Sequence, residues 1–96
     1  MAERYPLQNP QAAWRVYDGE AVIVSPEDST LHTLNEVGTL VWEAADGRTP
    51  VTDIVARVCE RYDVETRAAE RDVEAFVERL IEQRLITILD APPSGA

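Results

Sequence analysis

The side chains that most often carry out catalysis or bind metals are scarce and scattered in this chain. Its 96 residues include one histidine, His32, and one cysteine, Cys59. The serines Ser25, Ser29 and Ser94 have no second histidine to activate them and no G-x-S-x-G turn to present them. A single cysteine forms neither an internal disulfide nor a cysteine-based zinc site. We therefore predict a protein that is not an enzyme and that needs no metal and no cofactor.

The charge of the chain narrows the choice of partners. The formal net charge is −9, and all nine basic residues are arginines. A protein that binds duplex DNA takes most of its affinity from phosphate contacts, which require a basic surface. The 18 acidic residues show no spacing that selects a catalytic pair. With no signal peptide and no run of about 20 apolar residues, we expect a cytoplasmic protein that binds neither nucleic acid nor membranes.

Three short segments in the first half of the chain have the pattern of β-strands. Residues 14–17 alternate and end at Asp18-Gly19, a dipeptide typical of tight hairpin turns. Residues 20–25 form the second predicted strand, and residues 29–34 form the third. We expect an antiparallel meander packed on another layer, because so small a sheet is marginally stable alone.

The second half of the chain switches to a helical period at Asn35, a residue suited to cap a helix. Apolar residues then recur every three to four positions in three predicted helices, at residues 35–46, 50–62 and 66–84. Residues 85–89 form a short β-branched run that either adds a strand or caps the core.

The two halves together predict an α+β domain over residues 13–89, with a three-stranded antiparallel sheet followed by a three-helix bundle. Residues 1–12 contain two prolines and no clear period, so we expect an N-terminal arm there. Residues 90–96 are predicted to be a flexible tail.

The third predicted strand has an open edge in a meander of this order. Its residues include no proline, lysine or acidic side chain, the features that proteins use to block unwanted pairing. One interpretation is that the arm, the tail or a second copy of the chain covers the edge. Coverage by a second copy would make the protein a homodimer. The other is that a peptide adds to the edge as a further strand. Backbone hydrogen bonds would then supply affinity, and alternate side chains would supply selection.

One run of residues at the junction of the two halves resembles the PqqD-like family. This run is Leu34–Glu43 (LNEVGTLVWE), followed by Asp46-Gly47. Two later stretches add to the resemblance. Thr49–Val55 (TPVTDIV) is similar to the opening of the family's second helix, and Asp72–Leu80 (DVEAFVERL) is similar to its third helix. The similarity covers residues 14–88, and the first run is its specific part.

The resemblance implies a winged-helix-like domain that binds the leader region of a ribosomally synthesised precursor peptide. Such a domain presents the peptide to a modifying enzyme, often a radical S-adenosylmethionine enzyme. The leader pairs with the third strand and lies against the third helix. Carried over to this chain, the implied peptide-binding residues are Ser29, Thr30, Leu31, His32, Thr33, Leu34, Val73, Phe76, Val77 and Leu80. Since the last four also form the apolar stripe of the helix, some of them must belong to the core.

The first helix departs from the family member of the pyrroloquinoline quinone pathway itself. That member has an apolar, alanine-rich segment with a cysteine here, whereas this chain has Glu36-Val37-Gly38-Thr39. The resemblance therefore leaves the pathway open, lasso-peptide pathways included.

A winged-helix regulator that binds DNA is the alternative hypothesis, because its topology can look similar. Such a regulator needs Lys or Arg on its recognition helix. The third predicted helix instead carries the acidic residues Glu70, Asp72, Glu74, Glu78 and Glu82. Peptide binding is the better fit to this charge pattern.

Overall fold

The computed structural model describes residues 3–93. Over this range the chain forms an α+β fold whose strands lie in two antiparallel sheets, β2-β3-β4 and β1-β5. The elements in chain order are β1 (Tyr5–Gln8), β2 (Ala13–Tyr17), β3 (Glu20–Val24), β4 (Leu31–Thr33), α1 (Glu36–Ala44), α2 (Val51–Tyr62), α3 (Thr66–Glu82) and β5 (Ile86–Leu89). The three-stranded antiparallel sheet and the three helices confirm the predicted class.

The hairpin between β2 and β3 turns where the sequence predicts. Asp18 and Gly19 have φ angles of 51° and 79°. A two-residue hairpin turn of the favoured type requires positive φ at both central residues, which Asp and Gly tolerate. Tyr17 and Glu20 are therefore paired directly across the turn.

β4 is shorter than the predicted strand at residues 29–34. Ser29 has a φ of 60° and still belongs to the turn. The Asp28 carboxylate accepts the Thr30 N–H at 3.0 Å, which holds this turn closed. β4 therefore begins only at Leu31 and ends at Thr33.

β1 is a strand that the sequence analysis does not predict, since residues 1–12 are expected to form an arm. It pairs with β5 on one side, and its other side bonds to the chain beyond α1. There the Gln8 N–H donates to the Ala45 carbonyl at 2.9 Å, and the Gly47 N–H donates to the Pro6 carbonyl at 2.8 Å. Four residues with a proline carry no strand signal of their own, so the pairing depends on partners distant in the sequence.

The turn between α1 and α2 is built on Asp46. Its carboxylate accepts the N–H groups of Arg48 and Thr49 at 2.8 and 2.9 Å, and the Thr49 hydroxyl at 3.2 Å. α1 consequently ends at Ala44, two residues earlier than predicted. α2 is preceded by Pro50 at the cap position.

α1 is tied to the sheet at its N-terminal end. Asn35 caps the helix as predicted, because its side chain accepts the Gly38 N–H at 2.9 Å. The buried Thr39 hydroxyl accepts the Ala21 N–H at 2.7 Å and lies 3.4 Å from the Leu34 carbonyl, to which it donates. This link fixes the position of the first helix relative to β3 and the end of β4.

The core lies between the helices and the inner face of the three-stranded sheet. Its largest fully buried side chains include Trp42, Ile23, Leu34, Ile54, Leu80, Leu85 and Ile86. Trp14 on β2 contacts the Trp42 ring edge to face, with ring centroids 5.8 Å apart. Among residues 3–93, no helix combines the length and the apolar character needed to cross a bilayer.

Candidate peptide-binding site

β4 is an edge strand in the structure, as the sequence predicts. It pairs with β3 on one side, and no other strand of the described chain pairs with its far side. In the antiparallel register, Leu31 faces Val24, His32 faces Ile23, and Thr33 faces Val22. The unpaired side of β4 is called the free edge below.

The register determines which backbone groups point to the free edge. The Ser25 N–H donates to the Thr30 carbonyl at 2.9 Å, and the Leu34 N–H donates to the Ala21 carbonyl at 2.9 Å. Hydrogen-bonded positions alternate along an antiparallel strand, so His32, midway between them, also bonds to β3.

The N–H and C=O groups of Leu31 and Thr33 therefore point away from the sheet. They have no hydrogen-bond partner among the residues that the structure describes. An edge of this kind provides two donors and two acceptors for an added strand.

The C-terminal end of α3 lies next to the start of β4, because Gln83 and Arg84 line one cavity together with Thr30 and His32. Arg84, just after α3, forms an ion pair with Glu27 in the turn before β4, with Nη1 and Oε2 3.2 Å apart. Phe76, in the middle of α3, packs on Gly38 in the helix that follows β4. Together with Phe76, Arg79 and Gln83 lie on one face of the helix by the helical period. We call the space between β4 and this face the β4–α3 groove.

The structure places four of the predicted binding residues in the core. Leu34 is 1% exposed, and Val73, Val77 and Leu80 have no exposed surface. Their side chains therefore have no surface for a ligand to contact, and they support the groove from behind. Phe76 is the one predicted wall residue of α3 that is only half-buried.

The predicted binding residues at and around β4 differ in how far their side chains are exposed to solvent. The side chains of Leu31 and Thr33 are exposed, and that of His32 is half-buried. Ser29 and Thr30 lie in the preceding turn and are exposed. Gln83, the C-cap of α3, lines the cavity at the C-terminal end of the helix and is not among the residues predicted from the sequence. Its spacing of seven from Phe76 is the signal that would have found it.

A cavity of about 200 Å³ occupies one end of the groove and is lined by Thr30, His32, Gln83 and Arg84, among others. Arg84 has a φ of 60°, a conformation that is usually taken by Gly or Asn after a helix. Backbone and side-chain hydrogen bonds from Thr30 lower the pKa of Asp28 beside this cavity, so its carboxylate is ionised at neutral pH. The residues that line the cavity all have polar side chains, and His32 of β4 is one of them.

The described residues show no arrangement suited to metal binding, since no group of three or more His, Cys, Asp or Glu side chains is placed to hold an ion. The site offers the unpaired backbone groups of β4 and the half-buried side chain of Phe76, which packs on the helix that follows β4. Such a surface defines a domain that can take up an extended chain.

Comparison with known proteins places this fold in a family. Residues 20–86 match the family described as coenzyme PQQ synthesis protein D (PqqD), and the chain belongs to that family. A comparison with curated proteins gave no match.

Two solved structures have a similar fold. The first is described as TbiB1 in complex with the TbiA(beta) leader peptide. It has a TM-score of 0.76 and 24% sequence identity, covering 83% of this chain and 93% of that one. The second is described as lasso peptide synthetase B1 complexed with the leader peptide. It has a TM-score of 0.73 and 24% identity, covering 85% of this chain and 96% of that one. At this identity the likeness concerns the fold.

Proposed function

We propose that the protein binds the leader region of a ribosomally synthesised precursor peptide by strand addition at β4 and presents it to a modifying enzyme. The observation that carries the proposal is the free edge, where the N–H and C=O groups of Leu31 and Thr33 point outward without partners in residues 3–93. Membership of the PqqD family and the similar fold of two leader-peptide complexes support it.

In this proposal the bound segment extends the β2-β3-β4 sheet by one strand. Leu31 and Thr33 supply the backbone hydrogen bonds, while His32 keeps its own within the sheet. Ser29, Thr30 and Leu34 flank the paired positions as the limits of the binding segment. Alternate side chains of the peptide would point into the β4–α3 groove.

The inner wall of the groove gives the peptide an apolar contact. Phe76 is half-buried against Gly38 and has surface left to cover. Val73, Val77 and Leu80 hold the helix behind it in place, because they have no exposed surface. Affinity would therefore come from the strand pairing and from contact with Phe76, Arg79 and Gln83.

The same proposal assigns the protein a role without catalysis. It would act as a cytoplasmic adaptor for a modifying enzyme, which we propose to be a radical S-adenosylmethionine enzyme. No cofactor, nucleic acid or membrane is needed for this role. A homodimer paired through the free edge would compete with the peptide. We further propose that the fold is winged-helix-like, with the β2–β3 hairpin in the position of the wing.

An NMR titration tests the proposed function. Synthetic leader peptides, taken from precursors encoded beside the gene, are added to the isotopically labelled protein. We expect the largest amide shifts at residues 29–34 and along the groove face of α3. Shifts confined to α2 or to the β1-β5 sheet, or an absence of binding by every such peptide, would contradict the proposal.

A further inference from the structure

The three-stranded sheet has a second face, opposite the core, that no other element of the described chain covers. Alternation along β3 places Ala21 and Ile23 in the core and leaves Val22 and Val24 half-buried on the outer face. A shallow depression of about 320 Å³ runs over this face. The outer face thus carries an apolar patch, in a protein whose other surfaces are rich in carboxylates. The patch is formed by Ala13, Val22, Val24 and Leu31.

Leu31 is the most exposed large apolar side chain of the described residues, at 64%. It belongs to a strand of three residues whose backbone also forms the free edge. An edge-strand leucine with this exposure leaves apolar surface in water that a neighbouring strand would cover.

The pairing of residues across the three strands determines which side chains an added strand would contact. Ala13 is paired with Val24, and Val24 is paired with Leu31, so these residues form one apolar row across the outer face. Arg15, Val22 and Thr33 form the next row. Side chains directly opposite each other in adjacent strands contact one another, so each row continues into any strand added at β4.

We infer that Leu31 is a specificity-determining residue, which selects an apolar side chain at the peptide position facing it on the outer face. The inference rests on the proposed strand addition and extends it, because the peptide is then recognised on both faces of the sheet. In this inference the bound peptide itself covers the apolar patch on the outer face beside the free edge. The residue that it places opposite Leu31 continues the apolar row and covers the leucine.

The experiment uses an mRNA-displayed library of random linear peptides as the probe. Selections are run in parallel on the wild-type protein, on Leu31→Lys and on Tyr17→Ser. Tyr17 is the control because it is exposed on the same face but lies on β2, away from the free edge. Thermal unfolding of each variant establishes that it is folded, as expected for changes at exposed sites.

We expect the wild type and Tyr17→Ser to enrich Leu, Ile, Val or Phe at one shared position. Leu31→Lys should enrich Asp or Glu at that position, because opposite charges in directly facing positions attract. A synthetic peptide of the wild-type consensus should bind Leu31→Lys about two- to fivefold more weakly. Its variant with Glu at the selected position should regain that loss.

The variant Thr33→Pro, which lacks one outward N–H of the free edge, should bind these peptides about tenfold more weakly. Unchanged enrichment by Leu31→Lys, with this weakening by Thr33→Pro still present, would overturn the inference and leave strand addition intact. Failure to enrich any peptide, or enriched peptides that are indifferent to Thr33→Pro, would overturn the proposed function and the inference with it. Sedimentation adds a third outcome. A wild-type dimer that becomes monomeric in Leu31→Lys would show that a second copy covers the patch, which also overturns the inference.

Discussion

Gly38 lies on α1 directly against the ring of Phe76. A Cβ at this position would be 2.5 Å from Cε1 of Phe76, closer than atoms can approach without movement. The glycine therefore lets the aromatic side chain pack directly on α1, and its conformation needs no positive φ.

We expect Gly38→Ala to lower the free energy of unfolding by about 1 kcal/mol. Alanine gains about 1 kcal/mol in helix propensity, but overpacking against Phe76 costs about 1–3 kcal/mol. Urea unfolding of Gly38→Ala, Phe76→Leu and the double variant measures the coupling. The double variant should be more stable than the sum of the single changes predicts.

Glu43→Ala, exposed on the same helix, is the control for the helix propensity of alanine and should change stability by less than about 0.5 kcal/mol. A Gly38→Ala protein that is more stable than the wild type would show that Phe76 moves aside at little cost.

Asp46 is the second residue whose chemistry can be tested. Burial raises the pKa of its carboxyl, but hydrogen bonds from Arg48 and Thr49 outweigh this effect, so the pKa lies below its ordinary value of 3.8. Because the folded protein favours the ionised form, the associated stabilisation is present above pH 3.8. It is lost as the pH falls through the lowered pKa.

We expect Asp46→Ala to reduce the free energy of unfolding by about 1 kcal/mol at pH 7, since it removes the acceptor of the turn. The difference from the wild type should shrink as the pH falls below 3.8. Urea unfolding at pH 7 and at acid pH measures both values, with Glu60→Ala on exposed α2 surface as the control. A deficit that is equal at both pH values would mean that the turn does not depend on the ionised carboxylate.

At the scale of secondary-structure elements, β4 has two distinct sides. In its register, the backbone N–H and C=O groups of His32 point to β3 and those of Thr33 point to the free edge, although the two residues are adjacent. A proline removes one N–H, and it is tolerated in a strand where that N–H faces away from the sheet. Substituting each residue by proline therefore separates binding from folding.

We expect Thr33→Pro to remain folded and to bind leader peptide about tenfold more weakly, because one edge donor is lost. His32→Pro should instead lower the free energy of unfolding by about 1–3 kcal/mol, since it leaves the Ile23 carbonyl without its donor. Fluorescence anisotropy and urea unfolding measure the two effects. Thr33→Val retains the N–H and serves as the control. Equal peptide binding by Thr33→Pro and Thr33→Val would rule out this edge as the binding site.

At the scale of the whole molecule, the two ends of the chain meet in the β1-β5 sheet. Pro6 is fully buried, and the Asn9 N–H donates to the Leu85 carbonyl at 2.8 Å. Residues far apart in the sequence thus close one side of the core. We propose that the stable domain includes β1 as well as the predicted residues 13–89.

Removal of residues 1–9 should therefore lower the free energy of unfolding by at least about 2 kcal/mol, through lost burial and lost strand pairing. Urea unfolding measures the loss, and removal of residues 1–3 is the control because it leaves β1 in place. A truncated protein as stable as the full chain would show that the segment is a dispensable arm, as the sequence alone suggests.

Local patterns were enough to predict most of the elements and the family. The Asp18-Gly19 turn, the cap at Asn35 and the helical stripes depend on neighbours within a few residues, so they can be read in order along the chain. The same patterns identified the third strand as an edge, and the family resemblance implied that the third helix lies beside the bound peptide. They left open whether residues 85–89 add a strand, which the structure resolves as β5.

Only the tertiary structure decided how these elements divide their residues between core and site. The alternation along a strand shows that the backbone groups of Leu31 and Thr33 point the opposite way from those of His32. The pairing with β3 determines which set points to the free edge. In the same way, the stripe of α3 became a core of Val73, Val77 and Leu80 beside a wall at Phe76. These assignments, like the pairing of β1 with β5, depend on contacts between distant residues. No local pattern contains that information.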